Sequence, residues 1–148
     1  MERVKIRVKK LHPDAILPSY AHPGDSGLDM YSIEDITIPP KERRIVSTGI
    51  AIEYPEGYTS LFWDKGGLAA NNGLTVLGGV FEHIYRGEYK VVLYNTSDVA
   101  YEVKKGQKIV QLLIQPIITA EIEEAQELSE TVRGEGRFGS TGLEKKAL

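Results

Sequence analysis

Arg44-Ile45-Val46-Ser47-Thr48-Gly49-Ile50-Ala51-Ile52-Glu53, followed after Tyr54-Pro55-Glu56-Gly57 by Tyr58-Thr59-Ser60-Leu61-Phe62-Trp63, decides how this chain folds. β-branched and aromatic residues fill both runs, and a Pro and a Gly stand between them. Such side chains suit a pleated, half-buried surface better than a helix. Working outward, Leu74–Val76, Tyr89–Tyr94, Val99–Val103 and Lys108–Ile118 have the same character, and Gly, Pro, Asn or Asp punctuates nearly every gap. Toward the N-terminus, Asp35–Ile38 reads as a short strand stopped by Pro39-Pro40, and Val4–Lys9 alternates apolar and charged residues as a half-buried strand does. Many short strands with frequent turn signals predict an all-β fold, a barrel or a double-sheet jelly roll. One segment departs: Glu121–Glu130, rich in Glu, Gln, Ala and Leu, reads as a helix on propensity alone.

The chain has 148 residues, of which 41% are hydrophobic and 26% charged, the balance of one ordinary folded domain. Its apolar stretches are too short to span a bilayer; even Ile109–Ile114 is interrupted by Gln111. The opening Met-Glu-Arg-Val-Lys-Ile-Arg lacks the continuous apolar segment of an export signal, so a cytoplasmic protein away from membranes is expected. With no cysteine there is neither a disulfide framework nor a thiolate metal site. A net charge of -3 argues against charge-driven nucleic-acid binding, yet permits one small anionic ligand at a local basic cluster.

Four stretches combine glycine with polar residues beyond what packing requires. Ala21-His22-Pro23-Gly24-Asp25-Ser26-Gly27-Leu28-Asp29-Met30 offers carboxylates for metal-bound water, but Gly-Asp-Ser-Gly is also ordinary turn chemistry. Asp64-Lys65-Gly66-Gly67-Leu68-Ala69 can hold phosphate through Lys65 and backbone N–H groups, or be a hairpin turn with a solvated lysine. Gly78-Gly79-Val80-Phe81-Glu82-His83-Ile84-Tyr85-Arg86-Gly87-Glu88 carries a candidate general base within a shaped pocket. The tail, Arg133-Gly134-Glu135-Gly136-Arg137-Phe138-Gly139-Ser140-Thr141-Gly142, is either a surface tail or a lid over an anionic aromatic ligand.

With Gly106-Gln107-Lys108-Ile109-Val110-Gln111, these stretches resemble, in order, the five motifs of the trimeric dUTPase family, from about Ala21 to Gly142. The resemblance implies a jelly-roll-like β barrel over 1–132, a flexible C-terminal arm over 133–148, and a homotrimer whose active sites lie at subunit contacts. It implies a dUTP diphosphatase that uses Mg2+ to release dUMP and pyrophosphate. Asp29 is then expected to touch the metal's water shell, and Glu82 to act as general base for in-line attack at the α-phosphorus. Lys65, Gly66, Gly67 and Gln111 should line the triphosphate. Leu77, Gly78, Gly79 and Phe81 belong to the hairpin that reads uracil, and Tyr85 should pack on the deoxyribose, leaving no room for a 2′-hydroxyl. From the arm, Arg133, Gly139, Ser140 and Thr141 should close on the distal phosphates while Phe138 stacks on the base.

Three departures from the family pattern matter. Where the family usually reads Gly-Val-Ile-Asp-x-Asp-Tyr-Arg-Gly, this chain has Glu82 for the first aspartate and Ile84 for the second. Where Pro-Arg-Ser-Gly is common, it has Asp64-Lys65-Gly66-Gly67, losing the bidentate fork of arginine and a serine hydroxyl. His83 beside the acid is a tuning partner or an exposed turn residue. Related dCTP deaminases carry a glutamate in the strand after the hairpin, where this chain has Val92, which argues against deamination. The alternative to an efficient enzyme is a catalytically weak dUTP-binding or sensing paralogue.

Overall fold

A computed structural model describes residues 2–147. Among them, eleven strands form four antiparallel sheets, accompanied by one short helix. The Arg44–Glu53 run divides where Gly49 turns the chain at φ 67°, giving β4 (Arg43–Val46) and β5 (Ile50–Glu53). They join different sheets: β4 pairs with β9 (Val91–Asn95), while β5 pairs with β1 (Arg7–Lys10). The apolar–charged alternation expected from Val4 does persist, with Val4, Ile6 and Val8 half-buried between exposed charges. Its ladder is shorter than expected because Arg7 already faces Glu53, and Pro55 follows soon after β5.

The sheet that carries Asp29, Phe81 and Gln111 has the order β2 (Leu28–Tyr31), β11 (Lys108–Pro116), β6 (Tyr58–Trp63), β8 (Val80–Phe81). Behind it, β4, β9 and β7 (Leu74–Leu77) form a second sheet, and β3 (Ile36–Ile38) pairs with β10 (Tyr101–Val103). Strands alternate inward and outward, as in β9, where Val91, Leu93 and Asn95 are buried. Met30, Ile38, Ile52, Phe62, Leu74 and Leu112 meet between the sheets in one core. The antiparallel, jelly-roll-like expectation holds, but among the described residues no sheet closes on itself, so the expected barrel is corrected to open sheets packed on one another.

Two local expectations fail. The turn expected at Asp64–Ala69 is in part a helix, α1 (Gly66–Asn72), ended by Gly73, whose N–H reaches back to the Ala69 carbonyl at 3.0 Å. Leu68, Ala69 and Ala70 favour that turn of helix, and Gly73 at φ 68° stops it. The helix expected over Glu121–Glu130 is absent: among the described residues nothing regular follows Pro116, and the side chains from Ile118 onward are nearly all exposed. A segment of ten residues with several like charges and no surface to pack against is too short to hold a helix in water. No helix among the described residues is long and apolar enough to cross a membrane.

Candidate active site

Asp29 is the best-defined candidate. It sits in β2, opposite Gln111 of β11, with its side chain almost fully enclosed. Lys65 Nζ donates to Oδ1 at 2.6 Å, and Lys108 Nζ stands 3.0 Å from Oδ2. Asp29 thus has a cation on each of its oxygens, Lys65 on Oδ1 and Lys108 on Oδ2. Burial alone pushes the Asp29 carboxyl up, but the Lys65 and Lys108 ammonium groups outweigh it and hold the group below the usual carboxylate range. The same contact raises Lys108 above the ordinary ammonium range. Lys108 lay within the quoted Gly106–Gln111 run, but only the fold reveals that it faces the carboxylate.

Gln111 is locked beside this pair. Its Nε2 donates to the Asp64 carbonyl at 3.0 Å, and a Cβ at Gly27 would lie 2.6 Å from its Oε1, so a larger residue there would displace the amide. Asp64 in turn accepts from Val76 N–H at 2.6 Å and from the Thr75 hydroxyl at 2.8 Å, tying the Lys65 turn to β7. Sequence reasoning passed over Asp64. Around Gly66 and Gly67 an added Cβ would meet nothing, which leaves their backbone open to a close ligand. Lys65 is therefore not the solvated turn lysine of the simpler reading: it is bonded to a buried acid.

The third motif forms the other sheet edge. Gly78 and Gly79 adopt φ 71° and 105°, which side chains rarely tolerate, and a Cβ on Gly79 would lie 2.9 Å from Phe62 Cβ. A cleft of about 340 Å³ opens beside them, lined by Trp63, Asp64, Thr75, Val76 and Val80, with Leu77 partly exposed at its margin. Phe81 turns the other way. Its ring stacks on Tyr89 at 4.0 Å and meets the edge of Phe62 at 4.8 Å, so it faces the core and can offer a ligand only its backbone. Glu82 follows, exposed, and enters none of the chain's described ion pairs. Tyr85 closes the turn, with its N–H on the Glu82 carbonyl at 3.0 Å and its hydroxyl on the Glu88 carbonyl at 2.8 Å. Arg86 is structural within the chain, clamping the His83 carbonyl at 2.6 Å and pairing with Glu53 at 3.3 Å. In β9, Val92 lies between Ile45 and Leu77, with no acid at the position the deaminase reading requires.

The fold does not bring all of these groups together within one chain. Asp29 is level with Gln111 and Trp63, whereas Phe81 is level with Ser60 at the far edge of the same sheet. Three strand spacings across and about four residues along separate Asp29 from Glu82, which makes roughly 20 Å between their backbones. The tail residues also stand apart. Arg133 Nε donates to the Gly136 carbonyl at 2.7 Å and Arg137 covers the Phe138 ring at 4.5 Å, while Gly139, Ser140 and Thr141 make only local turns.

A chain with open antiparallel sheets, a braced acid beside a lysine and a glutamine, and a glycine hairpin presenting a second acid invites comparison with known proteins. The sequence profile of the dUTPase family matches residues 13–142. A deoxyuridine 5'-triphosphate nucleotidohydrolase from Hydrogenobaculum is 50% identical over 143 residues, covering 95% of this chain and 99% of that protein. One from Clostridioides difficile is 45% identical over 140 residues, covering 93% and 98%. The solved dUTPase of Staphylococcus bacteriophage 80alpha, with dUPNHPP, superimposes with a TM-score of 0.88 at 28% identity, over 94% of this chain and 99% of that one. Fold, motif order and near full-length identity agree: the chain belongs to the dUTPase family.

Proposed function

We propose that this protein hydrolyses dUTP to dUMP and pyrophosphate, in the cytoplasm, at sites assembled between copies of the chain. The observation that carries the reading is the cluster of Asp29, Lys65, Lys108 and Gln111, a buried acid set between two cations and beside a fixed amide. Relatives named deoxyuridine 5'-triphosphate nucleotidohydrolase over almost the whole length support the substrate.

Magnesium fits this donor set as a guest of the nucleotide. Among the described residues no three His, Asp or Glu side chains gather to cage a cation. Mg2+ commonly binds through substrate phosphates and keeps several waters, and the Asp29 carboxylate, whose lone pairs Lys65 and Lys108 do not exhaust, suits a contact to such a water. When bound, the ion neutralises the phosphate charge that would repel an attacking water.

The chain's own residues do the rest. Lys65 has three N–H bonds and uses one on Asp29, leaving two for phosphate oxygens. The open backbone at Gly66 and Gly67 admits the phosphate chain closely, and the Gln111 amide lines its path. Leu77, Gly78, Gly79 and the Phe81 backbone read the uracil edge, and Tyr85 packs against the sugar, excluding a 2′-hydroxyl. Glu82, without an internal partner, takes the proton of the water that attacks the α-phosphorus from the side opposite the leaving pyrophosphate. No covalent intermediate is needed. The arm over 133–148 closes on bound nucleotide, with Phe138 on the base and Arg133, Gly139, Ser140 and Thr141 at the distal phosphates.

The separation of Asp29 from Glu82 supports a shared site, because groups about 20 Å apart cannot serve one phosphorus within a single chain. A second copy has to supply one of them, and a closed trimer satisfies every chain equally. The test is pyrophosphate release from a panel of dUTP, dCTP, dTTP and UTP, with and without magnesium. Release confined to dUTP plus magnesium is expected; equal release from dCTP or UTP would refute the assignment.

A further inference from the structure

Among the described residues the Glu82 side chain is held by no ion pair of its own, so its position depends on the backbone that carries it. That backbone is anchored by a group of hydroxyls in the core. The carbonyl of Phe81, which belongs to the peptide bond leading into Glu82, accepts hydrogen bonds from the buried Tyr54 hydroxyl and from the Thr59 hydroxyl at 3.0 Å. The Tyr54 oxygen in turn accepts from Ser60 N–H at 3.1 Å, and the Ser60 hydroxyl lies 2.8 Å from that of Tyr89. On the same face the Phe81 ring is stacked on Tyr89. The carbonyl and the ring of Phe81 are thus both clamped by buried neighbours. Because the peptide is planar, fixing that carbonyl fixes the plane that also contains the nitrogen and Cα of Glu82.

We infer that Tyr54, seconded by Thr59, is a positioning residue for the reaction: its hydroxyl sets where the Glu82 carboxylate begins, and so lets a glutamate do the work of a shorter acid. This rests on Glu82 being the general base. Tyr54 touches no reacting atom and acts only through the Phe81–Glu82 peptide. Burial pushes the ionisation of the neighbouring Tyr89 hydroxyl up, so that hydroxyl keeps its proton beside Ser60.

Tyr54→Phe removes one oxygen and keeps the ring, leaving the carbonyl only its Thr59 donor. Because rate falls steeply with sub-ångström misplacement of a base, kcat for dUTP is expected to fall about tenfold while KM changes less than about twofold. Thr59→Val removes the second donor and should show the same split, and it serves as the test if Tyr54→Phe folds poorly. The decisive readout is the pair with Glu82→Gln. If Tyr54 acts through the base, Tyr54→Phe should not lower the residual rate of Glu82→Gln any further. The same fractional loss in both backgrounds overturns the inference, as does wild-type kcat in both Tyr54→Phe and Thr59→Val while Glu82→Gln is inactive. Full turnover by Glu82→Gln would remove the base assignment and, with it, this one.

Discussion

Replacing Lys65 with methionine separates the electrostatic role of that residue from its shape. The parent contact is 2.6 Å between Nζ and an acid that is 2% exposed. Bare Coulomb attraction at that distance is about 6 kcal/mol in a medium of effective dielectric 20, an upper bound for the pair. The lysine side chain is 26% exposed, so water screens it and solvates it when the pair is broken. A net loss of about 2 kcal/mol, typical for a hydrogen bond to a charged group, is the expected outcome at neutral pH. For a chain of this size that lowers the melting temperature by roughly 4–8 °C. Calorimetry at fixed protein concentration, with a chelator present, reads it. The pH dependence gives the sign. The parent Asp29 has a depressed pKa, so its contribution is complete above about pH 4 and is lost as pH falls through the folded value. The gap between parent and variant should therefore narrow on acidification. In an Asp29→Asn background, Lys65→Met should cost far less. An unchanged melting temperature at pH 7, or a gap that widens in acid, would refute the reasoning.

Three further outcomes are expected. Glu82→Gln should lower kcat by about 10²–10⁴-fold while a non-hydrolysable dUTP analogue still binds, since only the basic lone pair is lost; equal loss of binding measured by calorimetry would place Glu82 in recognition instead. Removing the residues from Arg133 onward should leave the melting curve unaltered, because their hydrogen bonds are local, and should weaken turnover strongly; steady-state kinetics equal to the full chain would exclude the arm from the site. Gly79→Ala forces a side chain into φ 105° against Phe62 and should cost about 2 kcal/mol of stability in a denaturant titration, whereas a neutral result would mean the hairpin relaxes freely.

How much of this was legible in the sequence depended on range. Strands announced themselves through β-branched runs, and β6 (Tyr58–Trp63) is as read, because residue type and period report a local surface. The division of Arg44–Glu53 into two strands in different sheets was not visible, since a glycine turn looks alike whether it ends a strand or bends one. The helix expected at Glu121–Glu130 failed for the complementary reason: propensity speaks for the isolated segment, while helix formation needs a surface to bury against. Motif order singled out Asp29, Lys65 and Gln111, which the fold gathers from β2, the start of α1 and β11. It could not show that Lys108 faces the same carboxylate, that Phe81 points inward, or that Tyr54 and Thr59 converge on one carbonyl. Those are facts of register and side-chain direction between distant segments, and a single sequence carries no local trace of them.

The central claim, a dUTP-hydrolysing site built from two copies of one chain, is tested most directly by mixing two inactive variants. Asp29→Asn and Glu82→Gln proteins, unfolded together and refolded at equal ratio, should regain about a quarter of the parent rate of pyrophosphate release, since random assembly pairs an intact Asp29 with an intact Glu82 from another chain that often. Mixed oligomers that form yet remain as inactive as either variant alone would contradict the account.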